Sequence, residues 1–170
     1  MPDDHHGAES IALADDGTFP NNRLPVLLYR RAVPLSDRDP AASLEARFQE
    51  NGWDGLWRNG IFDFHHYHAT THEVLGCARG WVRVQLGGPH GREIEFRAGD
   101  VAVLPAGTAH KNLGHSEDYL IVGGYPPGHA PDMCYGEPGE RPSADTAIAA
   151  VARPPSDPVH GEDGPLKELW

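Results

Sequence analysis

The sequence predicts an all-β, single-domain protein, a jelly-roll barrel with one short helix near the N-terminus and a C-terminal tail. Three observations support this prediction. A chain of 170 residues fits one domain that buries a sizeable core. Its 20 glycines and 16 prolines favour short strands joined by turns over long helices. Between residues 61 and 126, one strand-like segment follows another.

The charge balance indicates which partners the protein lacks. With 14 Lys and Arg against 25 Asp and Glu, the formal net charge is −11. Such an acidic surface repels phosphate backbones and anionic lipids, so we expect no nucleic-acid or membrane partner. We find no apolar run long enough for a membrane span and no signal-peptide pattern. Because Cys77 and Cys134 suggest no disulfide framework, we expect a cytoplasmic protein.

Composition divides the chain into three segments. Residues 1–24 form an N-terminal arm, of which residues 1–20 are polar and are expected to be loosely held. Its adjacent histidines, His5 and His6, are interpreted as an incidental surface pair. Residues 25–126 form the barrel. Residues 127–170 are rich in Pro, Gly and charge, and we expect them to pack on the barrel or on a partner subunit.

The first predicted strand runs from Val26 to Val33, since it opens with a run of large apolar residues. An exposed edge of this kind is usually covered in natural proteins, and a second subunit is one way to cover it. We therefore expect a homodimer that buries this strand or the C-terminal tail.

One helix follows this strand. Asp39 can cap it, Pro40 suits its first turn and Gly52 can end it. Two tryptophans come next, Trp53 and Trp57. We expect both to pack this segment on the barrel exterior rather than to stack on a ligand.

A hairpin and further strands complete the predicted barrel. Apolar and polar residues alternate over 82–86 and again over 94–97, and the glycine-rich turn 87–91 separates them. This pattern predicts two antiparallel strands with one apolar face. Strands are also predicted over 101–105 and 119–125.

Three histidines and one glutamate form the candidate metal site. His66 and His68 share a face if the chain is extended there. Glu73 begins the next strand, and His110 follows a tight turn that lets it approach from an opposite strand. Imidazole suits iron, nickel, copper and zinc, while carboxylate suits harder ions such as manganese. Because these groups would be costly in an apolar barrel without a partner, we expect a divalent transition metal: iron, manganese, nickel or zinc.

The same residues resemble the two motifs of the cupin superfamily. The first motif reads Gly60-x5-His66-x-His68-x4-Glu73-x6-Gly80, and the second reads Gly99-x5-Pro105-x-Gly107-x2-His110. The second departs from the usual pattern at its end. Gly114 stands where an Asn is common, and Asn112 lies two residues after His110.

Other segments resemble the YjlB-like branch of small bacterial cupins, namely residues 18–22, 71–76, 107–113 and 136–142. The resemblance implies that the chain folds as a double-stranded β-helix and forms dimers. It also implies metal ligands at His66, His68, Glu73 and His110. It supplies no substrate.

Six residues are expected to line the pocket around the ligands: Phe62, Phe64, Leu75, Cys77, Asn112 and Tyr119. Val82, Val84 and Leu86 are expected to add to its apolar walls. Cys77 is also interpreted as a plain buried thiol, Tyr119 equally as a core residue, and Asn112 as a residue that holds a turn. Apolar walls suit a small organic molecule better than a nucleotide sugar, which would require inward Arg or Lys.

Three functions remain open from the sequence. The first is a metal-dependent enzyme with dioxygenase-like or isomerase-like chemistry, since four protein ligands on a six-coordinate ion leave two positions for a substrate or dioxygen. The second is a non-catalytic module that binds a metal or a metabolite. The third, a structural cupin without metal, is disfavoured by the intact set of four ligands.

Overall fold

A computed structural model of the chain describes residues 7–170, so His5 and His6 lie outside the described residues. Nine strands alternate with few helices. The strands are β1 Ala8–Ile11, β2 Val26–Tyr29, β3 Asp54–Asn59, β4 Glu73–Arg79, β5 Trp81–Leu86, β6 Arg92–Arg97, β7 Val101–Leu104, β8 His110–His115 and β9 Leu120–Tyr125. The helices are α1 Pro40–Glu50, α2 Ser143–Ala150 and α3 Leu166–Leu169. None of the helices within residues 7–170 has the length and apolar character needed to cross a bilayer.

The strands form two antiparallel sheets. The larger sheet has the order β1-β2-β7-β4-β9-β3, and the smaller has the order β6-β5-β8. In the centre of the larger sheet, Leu75 of β4 lies opposite Ala102 of β7 and Gly123 of β9. In the predicted hairpin, Val84 of β5 lies opposite Ile94 of β6. The structure confirms the predicted all-β jelly roll.

Both faces of the larger sheet are buried at its central strands, and successive residues of β2 show this most clearly. Val26 and Leu28 belong to the core between the two sheets. Leu27 and Tyr29 point the other way, into a second core. Since side chains alternate along a strand, an unbroken apolar run is what a strand buried on both faces requires.

Helix α1 covers the outer face of the larger sheet. As predicted, the side chain of Asp39 accepts a hydrogen bond from the backbone N–H of Ala42 at 3.2 Å, which caps the helix. Leu44 and Phe48 are fully buried in the outer core. They pack against Gly76 so closely that a Cβ atom there would lie 2.9 Å from Leu44. A larger residue in the middle of β4 would therefore push the helix off the sheet.

The N-terminal arm differs from the prediction. From Ala8 to Ile11 it forms β1, which pairs with β2 along its whole length, and the ring of Phe19 is buried. The expectation of a loosely held arm is wrong for these residues, because an antiparallel pairing and apolar contacts hold them. The predicted strand 26–33 also ends earlier, at Tyr29. Since β1 of the same chain covers the edge of β2, that edge gives no argument for a dimer.

The C-terminal extension packs on its own barrel and contains two helices that the sequence analysis did not predict, α2 and α3. Asp157 anchors it. This fully buried carboxylate accepts a hydrogen bond from the hydroxyl of Tyr29 and others from the backbone N–H groups of Val159, His160 and Leu166. The indole N–H of Trp170 donates to the carbonyl of Pro25 at 2.8 Å. The chain thus closes back on β2.

Replacing Asp157 should destabilise the protein strongly. Asp157→Ala leaves a buried hydroxyl and three N–H groups without their acceptor, and we expect a loss of about 3 kcal/mol in the free energy of unfolding. Urea denaturation followed by circular dichroism measures this loss. The control is Asp163→Ala, which removes an exposed carboxylate of the same extension and should change stability by less than about 0.5 kcal/mol. Equal stability of the two variants would contradict the anchoring role.

Candidate metal centre

Three buried histidines converge at one end of the barrel. His66 and His110 form an antiparallel bridge in which each backbone N–H donates to the carbonyl of the other residue, at 3.3 and 3.0 Å. His68 lies two residues further along and faces the same way. One ring nitrogen from each of the three residues lies within 4.8 Å of the others. These three imidazoles can hold a metal ion, as the motif spacing predicts.

The tight turn before His110 sets its position. Gly107 has a φ of +90°, and its N–H donates to the carbonyl of His68 at 2.7 Å. A Cβ atom at Gly107 would lie 2.5 Å from the carbonyl oxygen of Asn21. The turn therefore requires glycine both for its backbone conformation and for its close packing.

Each histidine of the cluster has one ring nitrogen bound to the backbone. The Nδ1 atoms of His66, His68 and His110 lie 3.0, 2.6 and 3.0 Å from the carbonyl oxygens of Phe64, Asp132 and Thr108, respectively. Because a carbonyl can only accept, each Nδ1 must carry the proton. The Nε2 atom of each neutral ring is then a free electron-pair donor, and the ring is held in one orientation.

Glu73 brings a buried carboxylate to the same cluster. Its Oε1 lies 3.3 Å from Nε2 of His110, and its Oε2 lies 3.5 Å from Nε2 of His68. Glu73 is only 3% exposed. Burial by itself raises the pKa of this carboxyl, but its contacts with the rings of His110 and His68 outweigh burial and hold the pKa well below its usual range. Glu73 is thus an anion in the protein interior.

Burial is the main cause of the low pKa of His66, which is about 3, and neighbouring His110 lowers it further. For His68 burial has the same effect, but the carboxylate of Glu73 more than offsets it, so the pKa of His68 is raised. The pKa values of His66 and His68 therefore shift in opposite directions because, of the two, only His68 contacts the carboxylate of Glu73 directly.

Asp132, from the C-terminal extension, supports the cluster and was missed in the sequence analysis. Its carbonyl binds Nδ1 of His68, and its carboxylate accepts hydrogen bonds from the backbone N–H groups of Ala69 and Thr70 at 2.7 and 3.2 Å. Burial raises the pKa of this carboxyl, but these backbone hydrogen bonds bring it below the usual value. Asp132 thereby fixes the loop that follows His68.

Tyr125 and Trp57 were also missed as site residues. The hydroxyl of Tyr125 accepts a hydrogen bond from the indole N–H of Trp57 at 2.9 Å. Burial and the adjacent carboxylate of Glu73 raise the pKa of Tyr125. Both aromatic residues line the cavity described next. The expectation that Trp57 packs on the barrel exterior is therefore wrong, whereas Trp53 does lie in the outer core.

A cavity of about 360 Å³ opens over the cluster. No Lys or Arg occurs among the described residues that line it. Its lining consists of Trp57, Asn59, Gly60, Ile61, Phe62, His66, His68, Glu73, Leu75, His110, Tyr125, Pro131, Asp132 and Met133. The cavity thus combines three imidazoles that could hold a metal ion, and the carboxylate of Glu73, with mainly apolar walls.

The predicted pocket residues divide into two groups. Phe62 and Leu75 line the cavity, whereas Phe64 does not: it is 40% exposed and stacks on Phe62. The backbone bends at residues 63 and 64, so the Phe64 ring stays outside the lining although it contacts the ring of His66. Cys77 lies in the core between the sheets, with its thiol directed at the carbonyl of Arg79. That core also contains three residues expected in the walls, namely Val82, Val84 and Leu86.

Asn112 and Tyr119 lie behind the cavity rather than in its lining. The side-chain amide of Asn112 donates to the carbonyl of Ile61 and to the hydroxyl of Tyr119, both at 3.3 Å. Its backbone N–H donates to the carbonyl of Phe62 at 2.8 Å. Asn112 therefore holds the segment that carries Phe62, which agrees with its interpretation as a residue that holds a turn.

The other histidines within residues 7–170 do not join the cluster. His115 is exposed and packs its ring on Tyr119. His72, just before β4, is buried because the C-terminal extension covers it: its Nε2 lies 3.0 Å from the carbonyl oxygen of Ala152. Its Nδ1 accepts from the backbone N–H of Ala106, and its ring packs against Trp170.

Two facing antiparallel sheets with an inward histidine cluster at one end define a single-domain cupin. No family model matches the chain. Its sequence is 41% identical over 157 residues to "Uncharacterized protein YjlB" of Bacillus subtilis (strain 168), covering 92% of each chain. The chain therefore belongs to the YjlB family of cupins.

Solved structures show more partial likenesses. An acireductone dioxygenase from Bacillus anthracis, with a cadmium ion in its active centre, is 16% identical, with a TM-score of 0.42 over 63% of this chain and 82% of that chain. WlaRA, a TDP-fucose-3,4-ketoisomerase from Campylobacter jejuni, is 11% identical, with a TM-score of 0.36 over 43% of this chain and 59% of that chain.

Removing the carboxylate of Asp132 should loosen the loop after His68. In Asp132→Ala the N–H groups of Ala69 and Thr70 lose their acceptor, so we expect their amide exchange to quicken and the protein to lose about 1–2 kcal/mol of stability. Hydrogen exchange followed by NMR measures both effects. Asp63→Ala, at an exposed position, is the control and should leave these amides unchanged. Unchanged exchange in Asp132→Ala would refute this role.

Proposed function

We propose that this protein is a metal-dependent enzyme that acts on a small organic molecule at a centre of three histidines and one glutamate. The proposed ligands are His66, His68, Glu73 and His110, and the proposed cofactor is one divalent transition metal ion: iron, manganese, nickel or zinc. One observation supports this proposal most strongly. The buried carboxylate of Glu73 faces the Nε2 atoms of His68 and His110, and both rings already donate through Nδ1 to backbone carbonyls.

The donor set fits such an ion. A carboxylate oxygen and the free Nε2 atom of a neutral ring are both acceptors, so a positive charge has to lie between them. Protons could supply this positive charge only if His68 and His110 both became imidazolium ions. Their ring centroids are 5.8 Å apart, so the two cations would repel each other. One divalent ion satisfies the carboxylate and all three imidazoles together. When bound, it supplies Lewis acidity and open positions for a chelating substrate or dioxygen.

The chain's own residues then have distinct tasks. Leu75 and Ile61 exclude water from the base of the cavity, which strengthens electrostatic interactions there. Tyr125 is held by Trp57 beside the carboxylate of Glu73, so it can orient that carboxylate and hold a proton at its hydroxyl oxygen. These features suit dioxygenase-like or isomerase-like chemistry on a molecule without phosphate groups.

A non-catalytic module that binds a metal or a metabolite is the second candidate. It is favoured by the absence of Ser, Thr, Cys or Lys from the lining of the cavity, as far as the structure describes it. Without a Ser, Thr, Cys or Lys nucleophile, the cavity relies mainly on the metal for any reaction. The two candidates share the metal site and differ only in turnover.

Metal binding is the first expectation to test. Purified protein incubated with Ni(II) or Fe(II) without oxygen and then desalted should retain about one ion per chain. His110→Ala and Glu73→Gln should each weaken retention by at least about 10-fold, because each removes a ligand atom. Elemental analysis and competition with a chelator measure both quantities. His115→Ala, at an exposed position of the same strand, should bind like the wild type. Equal metal content in all variants would contradict the proposed ligands.

Turnover separates the enzyme from the module. The Fe(II)-loaded protein should consume oxygen, or isomerise the substrate without consuming it, with at least one small diketone, hydroxy ketone or phenol. His110→Ala should lose this activity by at least about 100-fold, since one ligand atom is gone. Oxygen uptake and NMR of the products measure the two reactions. A fully metallated protein that is inert across this panel would favour the module.

The expected homodimer stays a prediction. Size-exclusion chromatography with light scattering should give about twice the mass of one chain at micromolar concentration. A clean monomer under these conditions would refute it.

A further inference from the structure

Large apolar and aromatic side chains form most of the cavity wall beyond the metal-ligating residues. They are Trp57, Ile61, Phe62, Leu75 and Met133, and they stand beside the polar side chains of Asn59, Tyr125 and Asp132. Phe62 is 50% exposed and Met133 is 36% exposed. Large apolar side chains that stay open to solvent beside a cavity are typical of surfaces that a ligand covers.

Aromatic rings lead from the metal site to the surface. The ring of Phe62 meets the ring of His66 edge-on, with centroids 5.2 Å apart. Phe62 also stacks on Phe64, at 4.9 Å and an interplanar angle of 17°. Phe64 in turn contacts His66 at 5.6 Å and Tyr135 at 5.9 Å. Because Phe64 and His66 both pack against Phe62, the Phe62 ring is held as a wall beside the His66 ligand. A flat ring extending outward from the metal would pack against it.

The charges of the cavity limit the charge of its occupant. Glu73 contributes one negative charge at the histidine cluster, so a divalent ion held there leaves a local charge of +1, which one negative charge on the ligand neutralises. The carboxylate of Asp132 keeps its charge, but it is directed at the N–H groups of Ala69 and Thr70 and at the thiol of Cys134 rather than at the cluster. With no Lys or Arg among the described lining residues, a phosphate or a second carboxylate would lose water without gaining a partner.

We infer that the ligand of this centre is a monoanionic chelating molecule that carries one flat, apolar ring, and that Phe62 selects for the ring. This inference rests on the proposed metal site and specifies its substrate class. The ring lies against Phe62 and Met133, and the chelating group lies over the histidine cluster. A cavity of about 360 Å³ is at the lower end of the roughly 300–1,000 Å³ of small-molecule sites, which fits one ring better than several.

Hydroxamates test this class, since each chelates a metal as a monoanion while its side group varies. We expect the Ni(II)-loaded protein to bind benzohydroxamate at least about 10-fold more tightly than acetohydroxamate, because the ring buries apolar surface. Benzohydroxamate should also bind about 2–10-fold more tightly than cyclohexanecarbohydroxamate, which is similar in size but not flat. A second negative charge, in 4-carboxybenzohydroxamate, should weaken binding about 10-fold. Isothermal titration calorimetry measures all four affinities.

Substitutions at Phe62 assign the selectivity to one residue. Phe62→Ala should remove most of the preference for benzohydroxamate over acetohydroxamate, while the affinity for acetohydroxamate changes little. Phe62→Tyr keeps a flat ring and should keep the preference. Trp81→Ala is the control, because Trp81 is an exposed aromatic residue on β5 that does not line the cavity. Since Phe62 is half-exposed, its replacement should leave the circular dichroism spectrum unchanged.

The possible failures are distinguishable. If the protein retains nickel but binds all four hydroxamates equally, or binds none, the inference is overturned and the metal site stands. If the preference survives in Phe62→Ala, the role of Phe62 is overturned. If the protein retains no metal, the proposed function fails and the inference fails with it.

Discussion

The carboxylate of Glu73 and the imidazoles beside it impose the constraint on which the site depends. An anion that is 3% exposed is costly in a protein interior unless positive charge faces it. The two nearest partners, His68 and His110, are held with Nδ1 against backbone carbonyls, so only Nε2 is left to face the carboxylate. The cluster is thus negatively charged and rich in electron-pair donors, and hydrogen bonds from Nδ1 to backbone carbonyls fix the orientation of its rings. This arrangement is what a bound divalent cation requires.

The rest of the fold holds this cluster rigid. Glu73 begins β4, which lies between β7 and β9 near the middle of the larger sheet, and β4 is buried on both faces. The bridge between His66 and His110 joins the loop before β4 to the smaller sheet. The C-terminal extension returns across the barrel so that Asp132 reaches His68. Residues far apart in sequence therefore orient the three imidazole rings together. The ring of Phe62 stays exposed and can contact a ligand.

Local patterns in the sequence were sufficient for much of the barrel and for the histidine cluster. The alternation in β5 and β6 predicted their pairing, and the cap at Asp39 predicted the start of α1. Contacts with distant segments were beyond such patterns. Asp132 contacts His68 from 64 residues away, and the inward position of Trp57 depends on β3, whose residues show no apolar alternation. Phe64 was misplaced because two residues of spacing imply a shared face only in extended chain, and the chain bends there.

Anomalous X-ray scattering from crystals of the zinc-loaded protein tests the central claim most directly. The account predicts one strong zinc peak inside the cluster, about 2.0–2.2 Å from Nε2 of all three histidines and from a carboxylate oxygen of Glu73. A zinc ion bound elsewhere, or one held by the histidines with the Glu73 carboxylate turned away, would contradict it.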